Sequence, residues 1–488
     1  MLGHFIDYAR QVGLDAEPGF TTRKIRWRVQ LTETGELINI LPLGDENSGQ
    51  PVSRCPEMHN MNAGGRAHFL VESVQTVALL FKSNETDKRV AATMEKHTFF
   101  LDSISAAAAK IPQLVPLAEF IANEQQVELL HERLIQEKAK PTDWLTWEIA
   151  GRDPLQMDEV LDWWRSWRRQ DLETHDAPQE KTMLCLLTGE AAKPLEKHPK
   201  ITGLSNVGGL GTGDVMAGFD KNAFCSFGLK KALNAAMAEQ PVQQYVDAFN
   251  HLLRNRSRKL ANVKVVHWFE KALPPETDPL SFIYEPPETT EAVATESARK
   301  ILDSIRQGKR PVPSNNRYYA MTVSGASGRV MVRDWMGGSF ENLVEMAGNW
   351  FSHLEIVARN GGGPAPDPKF MAVCGALVRD LKDLPAPTVA TLWRVALTGL
   401  PIPQPYVAQA LAHFRADIVN DHPFNHARVG LMKAYFIRKG GTDMNTYLNK
   451  EHPSPAYQCG RLLAVLADLQ RSALGDVGAG VVQRYYVA

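Results

Sequence analysis

The sequence predicts an α+β protein, in which a mixed α/β N-terminal body with β-hairpins is followed by an α-helical C-terminal domain. Residues 22–29 alternate basic and apolar side chains, a pattern typical of a strand with one basic face. Residues 318–323 and 329–335 are rich in aromatic and β-branched side chains, and the Gly and Ser residues between them predict a turn. Residues 370–486, in contrast, carry a helical pattern almost throughout.

The remaining elements follow from the same periodicities in chain order. The chain begins with a short amphipathic helix, and helical patterns dominate residues 88–170. Within that region the Trp-rich run at residues 163–169 is typical of a core stripe whose arginines extend towards the surface. The later predictions are a buried strand at 183–187, a Gly-rich hairpin within 202–227, a helix at 242–253, a strand at 263–269, an exposed connector at 273–290 and a helix at 340–356.

The length and the linkers predict the domain organisation. A chain of 488 residues exceeds what a single hydrophobic core usually organises, so at least two domains are expected. The Gly- and Pro-rich run at residues 360–366 is the clearest linker. We therefore expect a mixed α/β body at residues 1–358, containing the Gly-rich hairpin and the polar loops, and a helical domain at residues 370–488.

The composition is that of a globular protein outside the membrane. Hydrophobic residues make up 44% of the chain and charged residues 22%, and polar residues interrupt every apolar run before it reaches the length of a membrane span. The first residues lack the apolar core of a secretory signal, which predicts a cytoplasmic location. The five cysteines include no CxxC pair, so free thiols are expected in place of a zinc site or a disulfide framework.

The common catalytic and cofactor motifs are missing from the sequence. The Gly-rich residues 203–218 contain neither GxxxxGK[ST] nor GxGxxG, and Ile135 stands where an HExxH motif needs its second histidine. His422 and His426 have the spacing of a helical metal pair, but Pro423 lies between them and no third ligand is evident. These observations predict a binding protein without a catalytic site, a cofactor or a metal.

Basic clusters and two polar loops are the candidate binding features. A net charge of −1 argues against a free-standing nucleic-acid binder, yet basic residues cluster at 23–28 and 254–259. The loop at residues 59–66 carries Asn60 and Asn62, whose amides can hydrogen-bond to base edges. The glycines of residues 206–213 would let the backbone approach a ligand closely. Tight turns between strands are the simpler explanation of the two loops, and a solvated face explains the basic strand residues equally well.

The order of several motifs resembles the large subunit of the type I-C CRISPR surveillance complex, Cascade. Residues 318–324 and 329–335 match a pair of aromatic-rich strands that carry Arg329 and Arg333 ahead of a helix beginning at residues 340–343. The other motifs that follow in the expected order are residues 392–401, 415–417, 428–438 and 456–466, and upstream the Gly-rich residues 203–219, then 226–228 and 248–253.

This resemblance implies a role in crRNA-guided DNA recognition. Such a subunit recognises the protospacer-adjacent motif in duplex DNA, assists strand opening, stabilises the R-loop and docks the helicase-nuclease, while the guide reads the sequence by base pairing. The implied partners are crRNA, target double-stranded DNA with its displaced strand, the Cascade backbone subunits, the crRNA-processing subunit and small helical subunits, with no membrane. An internal start at Met371 or Met346 could yield such a small subunit.

Loop chemistry and position suggest which residues would carry out the implied role. Motif reading falls to Asn60, Asn62, Gly208, Gly209 and Gly211. The residues expected to bind phosphates are Lys24, Arg26, Arg28, Arg66 and Lys230, and those expected at the crRNA end or the displaced strand are Arg256, Arg258, Arg329 and Arg333.

Two other functions remain open on the sequence. A crRNA-processing enzyme of the same system would need a His/Tyr/Lys constellation, for which His267, Tyr318 and Lys264 are available. A scaffold that assembles partners without touching DNA is the second alternative.

Overall fold

The computed structural model has the α+β class that the sequence predicts. The residues it describes are 1–14, 17–45, 49–58, 61, 65–175, 182–225, 227–275, 278–284, 315–420, 424–440, 444–475, 477 and 480–487. They form two compact units: a smaller one of residues 14–195 and 236–244, and a larger one of residues 1–13, 196–235 and 245–488. The predicted domains, 1–358 and 370–488, divide the chain differently and stay a prediction.

The sheets of the smaller unit begin with two strands where the sequence pattern suggested one. Strand β1 (Phe20–Ile25) and strand β2 (Trp27–Leu31) are separated at Arg26, whose backbone N–H donates to the carbonyl of Trp144 at 2.8 Å. The break sends the two strands into different sheets. The other strands of this unit are β3 (Leu37–Pro42), β4 (Gln50–Pro56), β5 (Glu72–Ser73), β6 (Trp144–Ile149), β7 (Met183–Leu184) and β8 (Ala191–Ala192).

A four-stranded sheet in the order β3-β2-β6-β5 organises this unit, and β1 pairs separately with β4. The pairing of β2 with β6 is parallel, with Val29 opposite Trp147, and both residues are fully buried. The helices that pack with these strands are Val74–Val77, Asp87–Ala108, Val115–Ala122, Glu124–Gln136 and Asp158–His175. Strand β6 lies inside the region where the sequence indicated helices, because its six residues are too few to stand out from a helical background.

The tryptophan stripe of helix Asp158–His175 is a core element, as predicted. Trp164 is fully buried, stacks on Phe69 with ring centroids 5.4 Å apart, and donates its indole N–H to the carbonyl of Gly19 at 2.8 Å. Arg168 extends from the same helix to form an ion pair with Glu239. The stripe therefore stabilises the unit and leaves no free ring for stacking on bases at Trp164.

The predicted buried strand at residues 183–187 is wrong. Only Met183 and Leu184 form a strand, and the side chains of Leu184 and Leu186 are each 65% exposed. An apolar run is ambiguous because its periodicity does not reveal whether a second layer covers it.

The larger unit is built on an antiparallel sheet in the order β12-β11-β10-β9. Its strands are β9 (Ser257–Leu260), β10 (Val263–Phe269), β11 (Arg317–Ala326) and β12 (Arg329–Ser339). The predicted strand at 263–269 and the predicted hairpin of 318–335 are both confirmed. Strands β11 and β12 stay paired from Arg317–Ser339 to Ala326–Arg329, with one register shift at Thr322 and Val323.

Helices cover the core face of this sheet. They are Phe340–Leu354, Phe370–Gly375, Ala386–Thr398, Gln404–Val419 and His426–Arg438, with Pro279–Tyr284 from earlier in the chain. The first begins where the side chain of Ser339 accepts a hydrogen bond from the N–H of Asn342, and Ala386–Thr398 ends at Gly399 in the left-handed conformation.

Helix Leu2–Gln11 instead packs on the opposite face of the sheet, where Phe5 stacks on Trp268 of β10 and His4 stacks on Tyr319 of β11. Helix Pro455–Leu474 has no buried residue. Helix Glu239–Asn255 contains the boundary between the units.

One hydrophobic core joins the helices beyond residue 370 to the sheet before it. Trp393, Phe370 and Phe340 are buried in the same cluster as Val265 of β10 and Met336 of β12. Within the described part of the chain, every helix is too short or too polar to act as a membrane span.

Candidate nucleic-acid interface

The Gly-rich segment of the larger unit forms a compact loop, and the predicted β-hairpin there is wrong. We call residues 203–213 the glycine loop. Its base is closed by a single two-way backbone pairing between Ile201 and Asp214, at 2.8 Å in each direction. The loop itself is a 3-10 turn at Ser205–Val207 followed by tight turns. Glycines with positive φ, such as Gly208 at 90°, favour turns over extended ladder pairing.

The glycine loop packs on the tip of the β11–β12 hairpin. Val215, which follows the loop, forms two backbone hydrogen bonds with that hairpin. Its N–H donates to the carbonyl of Gly328 at 2.8 Å, and the N–H of Val330 donates to the carbonyl of Val215 at 3.0 Å. A Cβ atom on Gly325 would lie 2.1 Å from the Cα of Gly209. Only a glycine-to-glycine contact allows two backbones to approach this closely, so the loop is held against the strand.

The three predicted motif-reading glycines therefore have different environments. A Cβ on Gly208 would lie 2.7 Å from the carbonyl oxygen of Gly325, and a Cβ on Gly209 would lie 2.2 Å from the carboxylate of Asp214. Gly211 has no neighbouring atom within 4 Å of that position and is exposed. The first two glycines are required by packing, and Gly211 is the position where a ligand could meet the backbone.

Several polar residues share the exposed rim of the glycine loop with Gly211, and sequence reasoning assigned them no role. Asn206 and Thr212 are exposed, and the ammonium group of Lys200 lies 3.5 Å from the hydroxyl of Thr212. Leu210 is 48% exposed at the same rim. An amide, a hydroxyl and a cation beside an exposed glycine can hydrogen-bond to bases and phosphates. Asn206 was visible in the sequence, but its position at the rim depends on the fold.

The hairpin tip contributes the two predicted arginines of β12. Arg329 lies 4.0 Å from Asp220, and its guanidinium is 5.9 Å from the ring centre of Phe224. The Nε of Arg333 donates to the hydroxyl of Ser324 at 2.9 Å. Arg329 is thus a partly neutralised cation beside the glycine loop, while Arg333 is held along the hairpin.

Three further predicted cations of the larger unit lie at the surface. Lys230 and Arg256 are exposed, and the exposed Arg258 places its guanidinium 5.0 Å from the ring centre of Tyr284. Arg256 and Arg258 flank the start of β9. All three side chains are exposed, and their predicted binding roles stay predictions.

In the smaller unit, Asn60 and Asn62 lie outside the described residues, and their predicted motif reading stays a prediction. Arg66, from the same loop, forms a 2.9 Å ion pair with Asp171, and the two side chains are 13% and 8% exposed. Breaking an ion pair buried to this extent is costly, so diverting Arg66 from Asp171 to a phosphate would be unfavourable.

The strand cations of this unit also differ in their surroundings. Lys24 is exposed on β1. Arg26 donates to the backbone carbonyls of Leu43 and Asp45 at 3.2 and 3.0 Å, and Arg28 lies 3.4 Å from the carboxylate of Asp153. Among these three, Lys24 has the environment expected of a phosphate contact.

The residues available for an RNA-processing constellation do not converge. His267 and Tyr318 occupy the core face of the β10–β11 pair, where His267 Nε2 lies 2.7 Å from Asp278 and Tyr318 is 3% exposed. Lys264 is three residues from His267 along β10, so its side chain points to the opposite face of the sheet. The described residues also contain no group of three or more His, Cys, Asp and Glu side chains that could hold a metal ion.

Comparison with known families identifies the chain. A family model described as CRISPR-associated protein (Cas_Csd1) matches residues 7–488. The chain is therefore a CRISPR-associated protein. Because the match covers nearly its whole length, it belongs to the Cas_Csd1 family. No curated protein matches the sequence.

Proposed function

We propose that this chain is the large subunit of a type I-C Cascade and that it recognises the protospacer-adjacent motif in duplex DNA. The observation that supports this most directly is the glycine loop, which is held rigidly on the β11–β12 hairpin and presents Gly211 at an open rim. In the same role, the subunit assists strand opening, stabilises the R-loop and docks the helicase-nuclease. It carries out no catalytic step itself.

The geometry of the loop suits recognition of a short motif. A glycine tip is narrow enough for backbone groups to reach base edges, and the rim residues Asn206 and Thr212 add hydrogen-bonding groups. Lys200 and Arg329 lie beside it and can attract phosphates. Base pairing with crRNA would read the remaining target sequence, so the protein needs only a small reading surface.

An exposed apolar stripe supports membership in a larger assembly. On helix Pro455–Leu474 the side chains of Leu462, Val465, Leu466 and Leu469 are 58%, 56%, 44% and 60% exposed. Their spacing of i, i+3, i+4 and i+7 places them on one face of the helix. A continuous exposed apolar face is typical of a protein–protein contact, which suits the backbone and small helical subunits of the proposed complex.

The test uses the reconstituted crRNA complex and a substitution at the loop tip. Gly211→Ala adds a methyl group where no atom lies within 4 Å, so the fold should tolerate it. If the Gly211 backbone approaches the motif, we expect the variant to keep its thermal unfolding midpoint and to lose binding to intact-flank DNA by about tenfold or more, an amount typical of a lost base contact. Binding to scrambled-flank DNA should change little.

A matched control and a contradicting outcome complete this experiment. Gly475→Ala changes another exposed glycine, also without an atom within 4 Å, at the end of helix Pro455–Leu474. Its positive φ of 69° makes it the more strained substitution, so it should cost more stability but no motif discrimination. If the wild-type complex binds intact and scrambled flanks equally, the motif-reading proposal is wrong and the scaffold function takes its place. Cleavage of repeat RNA by the chain would favour the processing enzyme.

A further inference from the structure

A second exposed feature lies next to the glycine loop and is aromatic. Phe227 is 89% exposed, the largest exposed fraction among the described large hydrophobic side chains, and Phe224 is 39% exposed. A phenylalanine ring is less stable in water than in an apolar environment, so binding a ligand over the exposed ring would be favourable. Two such rings within four residues of one loop form an exposed aromatic surface that a ligand can cover.

The local structure fixes this loop to the glycine-loop surface. The Phe224 ring packs edge-on against Phe219 at 5.6 Å between centroids, and the guanidinium of Arg329 lies 5.9 Å from its centre. Leu210 of the glycine loop meets the same hairpin tip, since its Cδ1 would lie 3.2 Å from a Cβ on Gly328. Phe224 is therefore anchored at the hairpin tip.

Phe227 extends from this anchor. The N–H of Gly228 donates to the carbonyl of Cys225 at 2.9 Å, and Gly228 has a φ of 71°. This hydrogen bond closes a tight turn, and Phe227 is the residue before its left-handed glycine. The ring is thus carried at a turn and exposed to solvent, three residues from an anchored aromatic neighbour.

The charges around the two rings favour an anionic ligand. Lys221 precedes Phe224 by three residues and Lys230 follows Phe227 by three, and both are exposed. Arg329 adds a third cation, partly neutralised by Asp220. A flat apolar ring bordered by cations matches the two parts of an unpaired nucleotide, which are a base with an apolar face and a phosphate. An apolar protein surface would not require the cations.

We infer that Phe227 stacks on an unpaired base of the target DNA next to the recognised motif, with Lys221 and Lys230 binding the adjoining phosphates. This inference rests on the proposed function, because it places an opened DNA strand beside the glycine loop. The ring would stabilise the first separated nucleotide and make it costly for the strands to re-pair.

The test combines variants of Phe227 with abasic DNA. The complex reconstituted with Phe227→Ala, Phe227→Leu or Phe227→Trp is titrated with duplex targets in which one abasic site is moved through the nucleotides adjoining the motif. We expect the Ala and Leu variants to bind the intact target about 5- to 100-fold more weakly and the Trp variant to bind it nearly normally, since stacking requires an aromatic face. At one abasic position, Phe227→Ala should cause no further loss.

The controls separate this inference from the proposed function. Phe436→Ala removes another exposed ring of the larger unit, 49% exposed on helix His426–Arg438, and should leave DNA binding unchanged. The stacking role is wrong if the complex with Phe227→Ala binds every target like the wild-type complex, or if the complex with Phe227→Leu does so. This holds even when flank discrimination persists. Loss of the chain from the complex in Phe227→Ala would likewise overturn it, because the ring would then be a protein contact. Flank discrimination by the wild-type complex tests the proposed function separately.

Discussion

At the scale of single residues, His198 shows how burial controls protonation in the larger unit. The side chain is 6% exposed, its Nδ1 lies 2.7 Å from the hydroxyl of Tyr245, and its Nε2 is buried without a hydrogen-bond partner among the described residues. Burial lowers the pKa of His198 from 6.5 to about 4 and raises the pKa of Tyr245. Because the folded state resists protonation, the unfolded state takes up the proton first.

This residue should make stability depend on pH. As the pH falls below 6.5, the unfolded chain binds a proton at His198 that the folded chain does not bind until about pH 4, so folding loses stability across that window. We expect the wild type to lose roughly 1 kcal/mol between pH 7.5 and 5.5 from this group, and His198→Gln to lose correspondingly less. Urea unfolding at both pH values measures the difference. Tyr245→Phe should keep the wild-type pH dependence, and an equal dependence in His198→Gln would contradict the assignment.

At the scale of elements, an ion pair connects two of the motifs that carry the family resemblance. Arg394, from helix Ala386–Thr398, donates its Nε to the carboxylate of Asp334 on β12 at 2.6 Å and a second N–H to the carbonyl of Trp335 at 3.1 Å. The hydrogen bond with Asp334 raises the pKa of Arg394. The pair attaches helix Ala386–Thr398 to the edge strand of the sheet. The motifs at residues 329–335 and 392–401 are therefore in contact.

Breaking this connection should destabilise the larger unit. Asp334 is 12% exposed, so Arg394→Met leaves a largely desolvated carboxylate without its cation. We expect a loss of about 2 kcal/mol in the free energy of unfolding, and a smaller loss in the double variant Asp334→Asn with Arg394→Met than the sum of the single ones. Denaturant unfolding of the four proteins measures this coupling. Arg379→Met, at an exposed position, should change stability little, and strict additivity would show that the pair contributes nothing.

At the scale of the whole molecule, a net charge of −1 is combined with cations of very different availability. Arg28 and Arg66 are engaged by carboxylates, whereas Lys24 and Lys230 are exposed. Counterion release depends on the cations that actually contact phosphates and not on the total charge. The proposed DNA affinity of the assembled complex should therefore depend on few positions of this chain.

The salt dependence of DNA binding tests this view. If Lys24 contacts a phosphate, Lys24→Ala should lower the slope of log K against log salt concentration by about 0.9 and leave the unfolding midpoint unchanged. Arg66→Ala should instead lower the unfolding midpoint, because it removes the cation that pairs with the buried carboxylate of Asp171. Lys382→Ala, whose side chain is 77% exposed and already near Asp380, serves as the control. An unchanged slope in Lys24→Ala would remove this residue from the interface.

The elements predictable from the sequence are those defined by local periodicity. Strand β10, the β11–β12 hairpin, helix Phe340–Leu354 and the buried face of Trp164 all follow from alternation or helical spacing within one segment. Such patterns report which face of an element is buried, and this information is contained in neighbouring residues. The family resemblance had the same origin, since its motifs are continuous segments, and the match over residues 7–488 shows the CRISPR-associated family.

The tertiary structure decided which distant residues meet. Gly325 fits against Gly209 across more than a hundred residues of chain, and this contact turned a predicted hairpin into a docked loop. Packing between other distant segments pairs Arg66 with Asp171, whereas Lys24 and Phe227 are exposed. The sequence around these positions does not distinguish an exposed side chain from a paired one. Periodicity cannot distinguish a solvated cation from a paired one, because the partner is supplied by packing between segments. The sequence alone thus indicated the elements with a clear local periodicity and the family, and the fold determined which of the polar and aromatic groups remain available to a ligand.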